Sequence, residues 1–264
     1  MRTLAVETTQ VREWVAEAGR IAVKHFGHAR TEWKGVGNPV TEADFAIEQM
    51  LAERLQAAYP QHGILGEEFG GDPAAHEFLW VIDPIDGTRV YVEGLPTWCV
   101  TLALFHELKP VWGLVHVPLV DDWTYTEGDD VLCNGAVITH KLKRRWAADS
   151  FVFGRSDAGA LLDVRFYRVM SYGSTATHLA YTAHGTAVAT ITHDPYIWDI
   201  AAGLAFMAKQ GGTVRALDGA PLDLTQHDLH QPFRGFYLFG HPDVVERLRP
   251  LVRVREETVT HPAW

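Results

Sequence analysis

The residues best placed to do chemistry lie between Trp80 and Thr88, where Asp83 and Asp86 are followed directly by Gly87 and Thr88. Leu79, Trp80, Val81 and Ile82 form an unbroken apolar run, the pattern of a short buried strand. The strand is expected to end at Asp83, because Pro84 has no N–H to continue a ladder. Two carboxylates at the mouth of a rigid strand repel each other unless a cation lies between them. A hard divalent cation such as Mg²⁺ favours that oxygen cluster. Gly87 lets the backbone approach a ligand closely, and its N–H and that of Thr88 can point at an anion. Metal ligands beside an anion cradle indicate phosphate chemistry. Taken alone, Asp-Pro and Asp-Gly are also ordinary turn dipeptides.

Two further acidic clusters weigh against the plain turn. Gly66-Glu67-Glu68-Phe69-Gly70-Gly71 places an acidic pair in a glycine-flanked loop just before the Asp83 strand. Trp198-Asp199-Ile200-Ala201-Ala202-Gly203 puts Asp199 at a helix start, where a capping role is the ordinary reading. The small residues behind it let that helix pack closely on a neighbour, which could bring Asp199 to Asp83. Glu42 and Asp44 sit in the first turn of another helix, where carboxylates commonly complement the helix dipole.

The elements that must position these groups follow from periodicity. Val11, Trp14, Val15, Ala18 and Ala22 have helical spacing up to about Phe26. A loop is expected from Gly27 to Pro39, with Gly35, Gly37 and Pro39 as breakers. Thr41 then caps a second helix with Ile47, Met50, Leu51 and Leu55 on its apolar stripe, stopped at Tyr59-Pro60. Runs at Trp98 to Phe105, Val111 to Val117, Trp123 to Thr126 and Val131 to Ile138, the last broken by Asn134-Gly135, predict an antiparallel meander. From about Asp149 strands and helices alternate. Strands are expected at Phe151–Phe153, Arg168–Met170, Thr186–Ile191, Thr213–Arg215 and Phe236–Phe239. Helices are expected at Ser174–His184, Trp198–Gln210 and Asp243–Arg249, which implies a sheet covered by helices.

Composition bounds the partners. At 264 residues and 47% apolar, the chain can build a large core as one domain or two intimate halves. A net charge of −10 and the lack of a basic face exclude nucleic acid as the main partner, and the Lys141–Arg145 run reads as a solvated loop. Cys99 and Cys133 imply no disulfide framework, Cys99 reading as a small core residue. Met1 to Gln10 does not read as a signal peptide, and no apolar run approaches the ~20 residues of a membrane span. A cytoplasmic protein is the expectation. The fourteen histidines include His178, His184 and His193 near the acidic clusters, without ligand spacing, and a hard cation does not call for them. The nine tryptophans read as packing, Trp198 bracing the Asp199 helix.

The clusters in this order resemble the inositol monophosphatase family of Mg²⁺-dependent, lithium-sensitive phosphatases. The resemblance is carried by Asp83-Pro84-Ile85-Asp86-Gly87-Thr88, Trp198-Asp199-Ile200-Ala201-Ala202-Gly203, Gly66-Glu67-Glu68 and Pro39-Val40-Thr41-Glu42-Ala43-Asp44. It implies an α/β protein layered α/β/α/β/α, with an α+β half over residues 1–148 and an α/β half over 149–264. It also implies a homodimer. It implies one Mg²⁺ on Glu67, Asp83 and the Ile85 carbonyl and a second on Asp83, Asp86 and Asp199, with a third, weaker ion near Glu67. Thr88 and Asp44 would orient the attacking water, Thr88 donating to Asp44, while the Gly87 and Thr88 amides hold phosphate. Glu68 would support from behind.

The substrate would be a small phosphomonoester such as inositol 1-phosphate or a related polyol or sugar phosphate. Asp86, Ser174, Thr175, Thr192 and Asp199 would face it. Inositol phosphatases resemble one another in placing a glutamate seven residues before the Trp-Asp aspartate; here that position is Thr192, with Asp194 a conceivable substitute. Arg155 and Ser156 could also reach a substrate. The Arg89–Trp98 stretch is similar to both the inositol and the histidinol-phosphate branches, so histidinol phosphate is the rival. Fructose 1,6-bisphosphate and 3′-phosphoadenosine 5′-phosphate are further alternatives, as is a non-catalytic phosphate-binding relative.

Overall fold

The computed structural model describes residues 6–35, 38–73, 76–139, 141–155 and 157–255; Gly37 and Ser156 lie outside the described residues. Helix α1 (Thr8–His25) buries Val11, Trp14, Val15, Ala18, Gly19 and Ala22 along one face, as its spacing requires. The expected loop after it contains a hairpin instead, β1 (Thr31–Gly35) against β2 (Asn38–Thr41). Gly35 and Pro39 are accommodated because they sit at an irregular register beside its turn. Thr41 caps α2 (Glu42–Ala58) by accepting the Ala43 N–H while Asp44 receives the Thr41 N–H, a reciprocal capping box.

Strands β3 (Gly63–Gly66) and β4 (Phe78–Asp86) pair in parallel. The short helix α3 (Thr88–Val92) follows without a break. Then come β5 (Cys99–His106), β6 (Lys109–Val117), β7 (Asp122–Glu127), β8 (Asp130–Cys133) and β9 (Ala136–Val137). They complete a seven-stranded sheet in the order β3-β4-β5-β6-β7-β8-β9, with the expected meander. The second half holds β10 (Val152–Gly154), α4 (Ala158–Leu161), β11 (Leu162–Val164), β12 (Val169–Met170), α5 (Thr175–Ala183) and β13 (Ala189–His193). It continues with α6 (Ile197–Gln210), β14 (Thr213–Ala216), β15 (Phe236–Gly240), α7 (Pro242–Leu248) and β16 (Val252–Val254). Strands β12-β10-β13-β15-β14 form a five-stranded sheet, while β11 and β16 pair separately.

The layers stack as expected. Helices α1 and α2 cover one face of the larger sheet, α5 and α6 fill the space between the two sheets, and α7 covers the outer face of the smaller one. One core, centred on Ile47, Leu51, Trp80, Trp98 and Leu102, lies under α1 and α2. A second, with Leu179, Ile200, Phe206 and Phe239, lies between the sheets.

One expectation fails in an informative way. Pro84 does not end β4: the ladder pairs Asp83 with Thr101 and resumes with Asp86 opposite Cys99. Two residues, Pro84 and Ile85, bulge out opposite the single Val100, so the missing proline N–H costs no ladder bond. In a regular strand, residues three apart face opposite sides. The extra residue returns Asp86 to the side of Asp83.

The small residues of α6 do seat it closely. A Cβ on Gly113 of β6 would stand 2.9 Å from the Cα and carbonyl oxygen of Ala202. Gly113→Val is therefore expected to lower the urea midpoint, costing about 1–3 kcal/mol at unchanged slope. An unaltered midpoint would show that α6 does not depend on this contact.

Candidate active site

Three helix starts and one strand bulge converge on a small buried volume. Asp83 and Asp86 come from the bulged end of β4, and Asp199 from the first turn of α6. Oxygen atoms of these three carboxylates all lie within 4.8 Å of one another. Asp83 is 1% and Asp86 6% exposed, so water cannot separate their charges. Burial first, and then Glu67, Asp86, Asp199 and Asp44, push the Asp83 carboxyl well above the usual range. Burial raises Asp86 to about 6, against the hydrogen bonds it accepts from Ser174, Ala176 and Cys99. Asp199 is raised to about 7 by burial and by Asp86.

Each carboxylate keeps part of its capacity occupied by the protein. Asp83 Oδ1 accepts the Ile85 N–H at 3.1 Å. Asp86 Oδ2 accepts the Ala176 N–H at 2.7 Å and the Ser174 hydroxyl. Asp199 Oδ2 accepts the Tyr196 N–H at 2.8 Å, so the capping role expected of it holds alongside its place in the cluster. These bonds all point the carboxylates inward and leave other oxygens for a cation. A divalent, oxygen-seeking ion fits this donor set.

Glu67 stands beside the cluster. Its side chain is 19% exposed and its Oε1 lies 3.9 Å from Lys34 Nζ. Burial and the fields of Asp199 and Glu68 push its carboxyl well above the usual range. Lys34 meets Glu68 at 2.5 Å. Lys34 escaped the sequence reading because the Gly27–Pro39 segment was expected to be loop. Burial lowers the Lys34 pKa, but the Glu68 hydrogen bond and the charges of Glu67, Glu68 and Asp44 outweigh it and raise it overall.

Glu48 was also missed. It is 1% exposed and accepts the Glu68 and Phe69 N–H groups at 2.9 and 2.8 Å, pinning the loop that carries Glu67. Gly66 lies so close that a side chain there would collide with the Glu48 carboxylate. The signal was available: Asp44 and Glu48 are four apart, on the same helix face as Ile47 and Leu51.

Asp44 is fully buried. Its Oδ2 accepts the Thr41 N–H and hydroxyl at 2.8 and 2.6 Å, while Oδ1 has no partner. Burial raises it to about 7 against those bonds. Thr88 differs from expectation. Its hydroxyl donates to the Ile85 carbonyl at 3.0 Å rather than to Asp44, because it sits in the first turn of α3, three residues after that carbonyl. The Ile85 carbonyl thus shares its lone pairs with Thr88. Gly87 caps α3 with φ +89°, and a Cβ there would stand 3.1 Å from the Gly173 carbonyl and Ser174 Cβ, so glycine is required.

The substrate-side residues divide. Ser174, expected to face a substrate, is 1% exposed and spends its hydroxyl on Asp86 while capping α5. Thr175 is half-buried at the start of α5. Thr192 is 2% exposed in β13, and its hydroxyl has no partner. Asp194, considered in place of the glutamate, accepts the Gly235 N–H at 2.6 Å and Arg234 at 2.9 Å. Arg155, beyond the end of β10, donates to the His193 carbonyl at 3.0 Å, and its charge lowers the carboxyls of Asp86 and Asp199. His178 accepts the Tyr172 N–H at 2.7 Å and His184 pairs with Thr124 at 2.7 Å, so neither faces the cluster. Trp198 stacks on Tyr196 at 4.7 Å and braces the start of α6.

Residues 4–234 match the inositol monophosphatase family. The chain is 34% identical over 197 residues to the inositol-1-monophosphatase ImpA of Mycolicibacterium smegmatis, covering 69% of this chain and 71% of that protein. It is 31% identical over 211 residues to a histidinol-phosphatase of Streptomyces coelicolor, covering 73% and 79%. The solved Thermotoga maritima IMPase superposes with a TM-score of 0.78 at 25% identity, covering 92% of this chain and 95% of that one.

The raised carboxyls set a pH dependence. In the unfolded chain they titrate near 4, so between pH 4 and 7 it releases protons that the folded site still holds at Asp86, Asp199 and Asp44. Without divalent cations the fold should therefore lose stability as pH rises from about 4 to 7. Saturating Mg²⁺ should remove that loss. Urea midpoints at pH 5 and 8, with EDTA and with Mg²⁺, would test this; an identical trend in both would show the cluster holds no cation.

Proposed function

The chain belongs to the inositol monophosphatase family and is a phosphoric monoester hydrolase; from that premise we propose how its own residues perform the reaction. The observation that carries the reading is the cluster of Asp83, Asp86 and Asp199 within 4.8 Å. Mg²⁺, in two or three ions, would be held by Glu67, Asp83 and the Ile85 carbonyl and by Asp83, Asp86 and Asp199. Bound there, it supplies the positive charge that activates water and neutralises the phosphate.

The chain supplies position. The amides of Gly87 and Thr88 open α3 toward the phosphate, where backbone N–H groups and the helix dipole favour an anion. Asp44 Oδ1 is the free acceptor for a water proton, and its carboxyl, raised to about 7, can take and release that proton near neutral pH. Thr88 donates to Ile85, which leaves its oxygen lone pairs to accept from the same water. The water attacks phosphorus in line and no phosphoenzyme forms.

A neutral polyol or sugar phosphate, inositol 1-phosphate among them, fits the leaving-group side best. Thr192, Thr175 and the edge of Asp199 offer hydroxyl and carboxylate contacts. Histidinol phosphate is the second reading, favoured by Thr192 where inositol phosphatases carry a glutamate and by the Streptomyces relative's printed activity. The Arg155 charge opposes it, because histidinol carries a cationic amine. We read residues 1–148 and 149–264 as the two halves, each with its own sheet. The working form is a homodimer in the cytoplasm; among the described residues no helix is long and apolar enough to cross a membrane.

Two measurements test this. Asp83→Asn should lower Mg²⁺-dependent phosphate release by about 10²–10³-fold or more, while stability without metal at pH 8 rises because a buried charge is removed. Wild-type turnover in this variant would sink the assignment. With the intact chain, kcat/KM for inositol 1-phosphate should exceed that for histidinol phosphate by about tenfold or more. The reverse order would make the amine-bearing substrate the true one.

A further inference from the structure

Asp83, Asp86 and Asp199 are each oriented by a backbone N–H that they accept. Glu67 is not. Among the described residues its carboxylate accepts no hydrogen bond and meets only the Lys34 ammonium, 3.9 Å away. The direction of Glu67 is therefore set by its own backbone, and whatever holds that backbone aims the carboxylate.

Sheet pairing delivers the segment. Strand β3 runs parallel to β4 with Gly66 opposite Ile82, so Glu67 leaves the sheet alongside Asp83. The base of the loop is closed where the Gly66 N–H donates to the Gly70 carbonyl at 3.0 Å. Above that base, Glu67, Glu68 and Phe69 form the part that must be held.

Three side chains reach it, and they hold different things. Lys34 pairs with the Glu68 carboxylate, and Phe45 meets the Phe69 ring at 5.9 Å. Both grip a side chain, which can turn about its own bonds while the backbone shifts. Glu48 grips the backbone. Its Oε2 accepts the Glu68 N–H at 2.9 Å and its Oε1 the Phe69 N–H at 2.8 Å, so both oxygens are committed to the two residues that follow Glu67. Bonds from amides to a carboxylate are the strong kind, more so away from water, and Glu48 is 1% exposed.

The anchor is itself fixed. Glu48 sits on α2 between Ile47 and Leu51, both fully buried. On the loop side the approach is possible only because Gly66 has no side chain: a Cβ there would stand 1.9 Å from Glu48 Oε1. The amides that orient the three aspartates belong to Ile85, Ala176 and Tyr196, outside this loop. The reach of Glu48 is thus confined to Glu67.

We propose, on the reading of the cluster as a divalent-cation centre, that Glu48 is a positioning residue with a selective effect. Through the Glu68 and Phe69 amides it sets the affinity of the cation that Glu67 helps to hold, and it leaves the cation among Asp83, Asp86 and Asp199 nearly unchanged. The probe is Mn²⁺, a hard divalent ion suited to the same oxygen ligands, titrated into the full chain while the free ion is read by EPR. Two classes of bound ion are expected. Glu48→Gln turns one of the two acceptors into a donor and should weaken one class about tenfold or more, the usual effect of a group that supports a ligand. The other class should stay within about twofold, and Phe69→Ala, which keeps the amide, should move neither class further than that. Gly66→Ala displaces the Glu48 carboxylate and should weaken the same class. Added to Glu48→Ala, where the space is open, it should cost nothing more. Glu48→Asp keeps the charge but stops one methylene short of the loop; it should act like Glu48→Gln and serves if that variant fails to fold, folding being followed by urea midpoints in EDTA. Equal weakening of both classes would mark a merely structural role and overturn the proposal. Unchanged Mn²⁺ affinity in the folded Glu48 variants would overturn it too. A wild-type chain that binds no Mn²⁺ would remove the cation reading itself, and the role of Glu48 with it.

Discussion

The structure is arranged around buried negative charge that the fold alone does not neutralise. Asp83, Asp86 and Asp199 lie within 4.8 Å of one another, with Glu67 and Asp44 close enough to raise the Asp83 carboxyl further. Such a cluster is unfavourable in a low-dielectric interior unless cations or oriented dipoles offset it. Helix starts supply the dipoles. Asp44 lies in the first turn of α2 and Asp199 in that of α6, while Asp86 accepts the Ala176 N–H from the first turn of α5. Each positive helix end contributes a fraction of a charge, too little to balance the site. What remains is the affinity for divalent cations that the family's chemistry uses.

The same constraint explains the closeness of the packing. Three helices can aim their first turns at one point only if their bodies approach the sheets closely. Gly113 against Ala202, Gly203 against Leu179 and Gly66 against Glu48 permit this, and a side chain at any of the three glycines would collide. Glu48 shows how far the arrangement extends. A buried carboxylate with no place in the cluster holds the Glu67 loop through two amides, so a second buried charge positions the first.

Substrate recognition is built with less constraint. Ser174 is consumed by Asp86 and Asp194 by Gly235 and Arg234, and the proposed function leaves contacts to the substrate to Thr192, Thr175 and Arg155.

Much of this was legible from residue order alone. The apolar run before Asp83, the capped helix at Thr41, the helix from Ser174, the meander and the later strand–helix alternation are local patterns, set by periodicity and turn chemistry over a few residues. Each acidic cluster alone has an ordinary turn or capping use; it was their combination and order that pointed to metal and phosphate chemistry. Contacts between distant segments were not legible. The bulge that returns Asp86 to the side of Asp83 depends on Val100 in the neighbouring strand. The diversion of the Ser174 hydroxyl to Asp86 depends on α5 meeting β4, eighty-eight residues away. Lys34 and Glu48 were silent because a lysine in a loop and a glutamate in a helix are ordinary until something buries them. Local sequence determined the elements and the chemistry; tertiary packing alone decided which atoms were left free, since desolvation and hydrogen-bond satisfaction are set by neighbours far along the chain.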